Sequence, residues 1–283
     1  MAVINYGAVI FLSTLSVAFV ANVLVIIAHV LDPLLVFRNG SSMFVLNITI
    51  VDTIISLLWF IFFSLLQTHD LGILTSDYFI IATEISGTIF TMSTTAYFSL
   101  VLELYISISR PLWHRANVTR KVCRNWIISS WIVHLIVFEV QTRFGAKEYH
   151  ELFTTCFLAS FFFAIQSLNL ATFLSLKTQS RALRERRDIS ESTLRAWKLR
   201  QENEKRFLVT IAILSIILSV TTFPYFIIIF FLLRSGGTGT VDHPWIEFSV
   251  HLMIIMNITI NPFFYLWRLP KYKKTFKKLY CQC

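Results

Sequence analysis

The stretch LVLELYISISRPLW, residues 100–113, holds a boundary that decides how the chain is read. Within it a long apolar run meets one acid, Glu103, and then its first basic residue, Arg110. An apolar run needs about 20 residues to cross the hydrocarbon of a bilayer. The run here exceeds that and stops at a cation followed by Pro111, so it reads as a membrane span ending at a charged surface.

The rest of the chain repeats the pattern. Of 283 residues, 55% are hydrophobic and 14% charged, with a mean hydropathy of +0.67. A soluble domain of this length needs a more polar surface, so the composition points to a membrane protein. Seven segments are long and apolar enough to span, at about 5–30, 42–66, 78–108, 124–141, 152–176, 207–233 and 245–267. The net charge of +9 suggests nucleic acid in a soluble protein, but the placement of the charges argues against that partner. Arg38 lies between spans one and two, five basic residues lie between three and four, ten between five and six, and six after the seventh. Only Arg143, Lys147 and Arg234 fall on the other side. The excess of Lys and Arg on one side sets the expected orientation, N-terminus outside and C-terminus in the cytoplasm. The first span lacks the positive flank of a signal peptide and is kept as a span. The external tail is then a few residues, too short for a ligand-binding domain.

The expected fold is an all-α membrane protein, a single domain covering residues 1–283. It is a seven-transmembrane helix bundle with a short amphipathic helix at about 269–280. No internal repeat of the common transporter kind is present. Residues 178–206 mix charges at helical spacing, read either as solvated extensions of spans five and six or as a plain charged linker. Of the four cysteines, only Cys156 lies towards the outside, which leaves no intrachain extracellular disulfide. The glycosylation sequons at Asn39, Asn47, Asn117 and Asn257 fall in cytoplasmic loops or within spans, where they stay unmodified.

Polar groups inside spans are costly and mark candidate sites. Asp52 lies within LNITIVDTIISLL, Ser93 within TIFTMSTTAYF, and Asn257 and Asn261 within MNITINPFFYLW. Singly, each reads best as hydrogen-bonded glue between helices. Together they offer oxygen atoms from three spans, a donor set suited to a hard monovalent cation such as sodium.

The set has an order: Asn22 in ANVLVI, Asp52, then Glu103 and Tyr105, Pro224 in TTFPYF, and Asn261, Pro262 and Tyr265 in NPFFY, followed by the basic stretch KYKKTFKKLY. In that order the chain resembles the rhodopsin-like (class A) G-protein-coupled receptors over most of its length. The resemblance implies transmission of an extracellular signal, from a small molecule or peptide, to a cytoplasmic G protein, an arrestin or both. It implies a multi-pass protein of the plasma membrane, not an enzyme. It also implies a sodium site at Asp52, Ser93, Asn257 and Asn261, and an activation set of Glu103, Leu104, Tyr105, Glu204, Pro224, Asn261, Pro262 and Tyr265. The departures are as informative. Where the family has an acid, an arginine and a tyrosine at the foot of span three, this chain has Glu103, Leu104 and Tyr105. The outer cysteine of span three is replaced by Phe79, and the tryptophan two residues before Pro224 by Thr222.

By the same resemblance, Ser86, Phe90, Thr222, Tyr225, Phe226, Glu247 and His251 face an outer ligand cavity, with Glu84 near its rim. Ser86 stands where amine receptors carry an aspartate, which argues against an aminergic ligand. The absence of lysine between Lys205 and Lys271 leaves no Schiff base for retinal. No other cofactor is expected, and no nucleotide loop or metalloprotease motif is present. Cys281 and Cys283, beyond a basic amphipathic helix that binds membrane lipids, read as palmitoylation sites or as a metal or redox pair. Two other functions fit the sequence: a receptor that binds ligand without activating G proteins, as a scavenger or arrestin-type scaffold, and a seven-span channel or transporter.

Overall fold

A computed structural model describes residues 6–37, 40–68, 77–144, 147–185, part of 195–227, and residues 244–268 and 270–281. Among these, every regular element is helical. The helices are α1 (Tyr6–Leu31), α2 (Gly40–Thr68), α3 (Asp77–Ser109), α4 (Pro111–Asn117), α5 (Arg120–Phe144), α6 (Lys147–Glu185), α7 (Pro244–Arg268) and α8 (Pro270–Tyr280). Between α6 and α7 the described residues, including 215–221, are helical as well.

Among the described residues, five helical stretches are long and apolar enough to cross a membrane: Gly7–Leu31, Gly40–Ser64, Gly87–Ser109, Arg120–Arg143 and Phe153–Gln179. Without water, each backbone N–H and C=O must be met within its own segment, and a helix does this for any apolar sequence. Their outward faces stay apolar. Ile132, Val133, Leu135 and Ile136 of α5 and Phe163, Leu170 and Phe173 of α6 are all exposed, a surface that hydrocarbon covers and water would not. Many hydroxyls inside these helices bond back to the preceding turn, as Thr49 does to the Val45 carbonyl (2.8 Å) and Thr172 to that of Leu168 (2.6 Å). Their polar atoms are thereby met without a partner helix.

Helices α2 and α3 are central to the packing. Helix α1 contacts α2 and α7, α2 contacts α3, α5 and α7, and α3 contacts α5 and α6. The largest buried cluster lies towards one end of the bundle. It joins Phe37, Phe44, Val45, Leu100, Leu104, Ile108, Tyr265 and Tyr272. This end carries the α1–α2 loop, α4 and α8, together with most of the described basic residues, and is called the basic end below.

Three local features shape the basic end. The α1–α2 loop turns through Asp32 (φ 30°) and Leu35 (φ 53°), left-handed positions that cost energy in a non-glycine residue. The Asp32 carboxylate offsets that cost by accepting the N–H groups of Val36 (2.9 Å) and Phe37 (3.1 Å). Helix α4, which the sequence reading did not anticipate, starts with Pro111 in its first turn, where the missing N–H costs nothing. Helix α8 is amphipathic. Tyr272 is buried against Phe37 (ring centroids 4.6 Å) and Tyr265 (5.8 Å), while Lys273, Lys274, Lys277 and Lys278 face outward.

Candidate functional site

The first polar centre joins three helices. Asp52 of α2 is fully buried. Its Oδ1 accepts the hydroxyl of Ser93 from α3 (3.0 Å), and its Oδ2 accepts the amide N–H of Asn261 from α7 (2.8 Å). A carboxylate has about four acceptor positions, so these two donors leave room for a cation or a proton. A cavity of about 20 Å³ lies alongside, lined among others by Ser93, Asn257 and Asn261. That volume suits one water or one small ion. Asn257, expected beside Asp52, lines the cavity but gives its amide N–H to Thr221 (2.9 Å) in the segment before α7. Asn257 therefore links α7 to that segment, whereas Asn261 links α7 to Asp52. Pro262 follows Asn261 within α7, where it removes one backbone N–H from the ladder.

A second network, not anticipated from sequence, ties α3 and α6 to the segment before α7. The Tyr97 hydroxyl and Ser215 Oγ lie 3.1 Å apart, and Asn169 donates to the same Oγ (2.7 Å). Gln166 donates to Ser219 Oγ (2.9 Å). These are isolated polar residues on apolar helices, and their one-dimensional spacing does not say that they converge.

The third centre sits at the basic end around Glu103, which is 4% exposed. Its Oε1 accepts Nε2 of His114 (2.8 Å) from α4, and its Oε2 accepts the hydroxyl of Ser41 (2.6 Å) from α2. The approach is close. A Cβ on Gly40 would meet Cys123 Sγ at 2.9 Å and Glu103 Oε1 at 3.5 Å, so glycine lets the start of α2 reach α3 and α5. Leu104 is 3% exposed within the main apolar cluster. Tyr105 is half-buried. Lys205 and Arg206, basic residues next to Glu204 in the sequence, could be expected to neutralise Glu103. Arg206 instead pairs with Glu202 on the surface (2.7 Å), and His114 holds Glu103. The signal that could have found His114 is its place one turn into a Pro-initiated helix directly after the span.

Lys271 begins α8 beside this centre. Its Nζ donates to Ser42 Oγ (2.7 Å) and stands over the rings of Phe37 (5.9 Å) and Tyr272 (5.5 Å). Burial lowers its pKa from 10.5 to about 8, only partly opposed by the charges of Glu103 and Asp32. Tyr265 is fully buried and its hydroxyl has no partner among the described residues.

Of the residues expected to line an outer cavity, Phe90 is in α3 and packs against the cluster of Ala18, Ile55 and Ile258. Phe90 also lines the small cavity beside Asp52. Ser86, Glu247 and His251 lie in helices, but their side chains are outside the described residues. Thr222, Tyr225, Phe226, Glu204 and Cys283 also lie outside them. Pro224 is helical and partly buried, and Cys281 is an exposed free thiol just after α8. Among the described residues no group of three or more His, Cys, Asp or Glu side chains could hold a metal ion. Neither a protein-family model nor a curated protein matches the chain.

Proposed function

We propose that the chain is a seven-span receptor of the rhodopsin-like G-protein-coupled kind, with its N-terminus outside and its basic end in the cytoplasm. A ligand entering from the outside shifts the sixth span and opens the basic end to a G protein or an arrestin. The plasma membrane is the natural site for such a protein. The observation that carries this reading is the meeting of Asp52, Ser93 and Asn261 from three separate helices within 3.0 Å. These residues were singled out from sequence by one family pattern, and a buried carboxylate held by an amide and a hydroxyl suits a sodium ion as an allosteric ligand. The docked amphipathic α8 after NPFFY and the closure of α7 onto α1 support the same reading.

Leu104 favours a second version, a receptor that binds ligand without activating G proteins. A buried leucine presents no cation to a transducer, and Glu103 is held by a histidine from α4 instead. One experiment separates these readings. A ligand library is screened on cells expressing the chain, with nucleotide exchange and arrestin recruitment measured in parallel. Exchange supports the coupled receptor, and recruitment alone supports the uncoupled one. Ligand-gated ion current with neither response would replace both with the channel reading.

A further inference from the structure

Tyr97, Gln166, Asn169, Ser215 and Ser219 form a polar network in the middle of otherwise apolar helices. Ser215 is fully buried, and Tyr97 and Asn169 are nearly so. The network has two rungs and a strap. On α6, Gln166 and Asn169 stand one turn apart, and so do Ser215 and Ser219 on the facing segment. Asn169 donates to Ser215 Oγ (2.7 Å) and Gln166 to Ser219 Oγ (2.9 Å), a reversed order that suits two antiparallel helices. The strap comes from a third helix, with the Tyr97 hydroxyl of α3 lying 3.1 Å from the same Ser215 Oγ. Within hydrocarbon no water replaces such a contact once it is broken. Three helices joined at one buried oxygen are therefore held in one arrangement.

A second strap meets the same segment. Thr221 Oγ1 accepts the amide N–H of Asn257 from α7 (2.9 Å). Ser215, Leu218 and Thr221 follow at three-residue spacing, so they share one side of a helix. Leu218, Tyr97 and Asn257 all line the small cavity beside Asp52. The segment is therefore tied to α3 and to α7 around a void. Side chains beside a void lose dispersion contacts on that side, so the hydrogen bonds carry more of the attachment there. At the basic end the charged groups are engaged elsewhere. Glu103 of α3 is bonded to Ser41 of α2 and His114 of α4, and Arg206 is bonded to Glu202 one turn away. Leu104 is buried in the apolar cluster.

We infer that the node of Tyr97, Asn169 and Ser215 is the resting lock of the segment read as the sixth span. It keeps the basic end closed from the middle of the bundle, through neutral hydrogen bonds rather than a charged pair at the cytoplasmic mouth. Tyr97 is the positioning residue, because it alone in the node belongs to α3. Its loss frees the segment from α3 while Asn169 still ties it to α6. The inference rests on the receptor reading, which supplies the motion that the lock opposes.

The test uses the purified full chain in nanodiscs with Leu208→Cys as a reporter, its labelling by a thiol reagent followed site by site by mass. Leu208 is buried in the main cluster, so a thiol there reacts when the segment moves away. When reclosing outpaces labelling, the rate follows the population of the open form, however small. Relative to the reporter alone, Tyr97→Phe should speed labelling about threefold, the size of one interhelical hydrogen bond in a bilayer. Ser215→Ala should speed it more, because Asn169 loses that acceptor as well. Adding Tyr97→Phe to Ser215→Ala should raise the rate no further. Thr172→Val removes an equally buried hydroxyl of α6 whose bond stays within its own helix, and should leave the rate unchanged. The native thiol of Cys123, buried at the same end, should keep its rate in every variant and so reports general loosening. If Ser215→Ala fails to fold, Tyr97→Phe against Thr172→Val still decides the matter. The assay needs neither ligand nor transducer. Faster labelling in a chain silent towards transducers would therefore count against the receptor reading alone, and unchanged labelling in a signalling chain against the lock alone. Equal rates in Tyr97→Phe and Thr172→Val, acceleration of Cys123 in step with the reporter, or independent effects of Tyr97→Phe and Ser215→Ala would overturn the inference.

Discussion

Replacing His114 with alanine is the sharpest perturbation of the basic end. Glu103 would keep the Ser41 hydroxyl but lose its only nitrogen donor among the described residues. A hydrogen bond to a charged group contributes about 1.5–3 kcal/mol. Breaking a fully buried pair costs about 3–5 kcal/mol. The His114 side chain is 19% exposed and that of Glu103 only 3%, so water can reach one side of the pair. The lower range therefore applies, about 2 kcal/mol. The assay is a double-mutant cycle on thermal unfolding of the purified chain, with His114→Ala, Glu103→Gln and the two combined. The combined variant should lose about 2 kcal/mol less than the sum of the singles. Strict additivity would refute the direct contact and, with it, the claim that α4 is tied to α3 through Glu103.

Three further outcomes follow. Sodium should raise the melting temperature of the purified chain relative to a bulky organic cation, and Asp52→Asn should abolish the difference; equal melting of the native chain in both salts rejects the cation site. For Lys271 the folded pKa of about 8 lies below the ordinary 10.5, so between those values the unfolded chain binds more protons and stability rises with pH. Burial pushes the Tyr272 and Tyr280 hydroxyls upward, which lowers stability only above about pH 10. Between pH 7.5 and 9.5 the native chain should therefore gain stability relative to Lys271→Met, and a flat difference would refute the buried amine. Metabolic palmitate labelling should fall when Cys281 and Cys283 are both changed to alanine; unchanged labelling would reject the lipid anchor.

The sequence carried the helices well because membrane spans are one-dimensional signals. Long apolar runs need no partner to become helices, and the helix ends lie within a few residues of the expected boundaries for α1, α2, α3 and α7. Helix α5 starts four residues earlier than its expected span, and α6 runs to Glu185, because charged residues can extend a helix beyond the hydrocarbon. Asp52, Ser93 and Asn261 were legible because each is a polar residue in an apolar run. The direction of the Asn257 amide was not, since residues one turn apart on α7 can serve different neighbours. His114 was missed for a related reason. Its contact depends on α4 folding back under α3, a tertiary event with no periodic trace in a seven-residue helix. Leu104→Arg, attractive from sequence as a repair of the family pattern, would place a guanidinium among Leu100, Val101 and Ile108 of the buried cluster.

The central claim is that the basic end opens towards a transducer. Spin labels at Asn117 on α4 and at Leu199, a helical and exposed position before the segment proposed as the sixth span, report that opening as a distance. A transducer that binds the open form must draw population towards it. With the purified chain in nanodiscs, adding nucleotide-free heterotrimeric G proteins or arrestin should enlarge a longer-distance population for at least one of them. A single distance distribution, unchanged by every transducer and by sodium removal, would contradict the account.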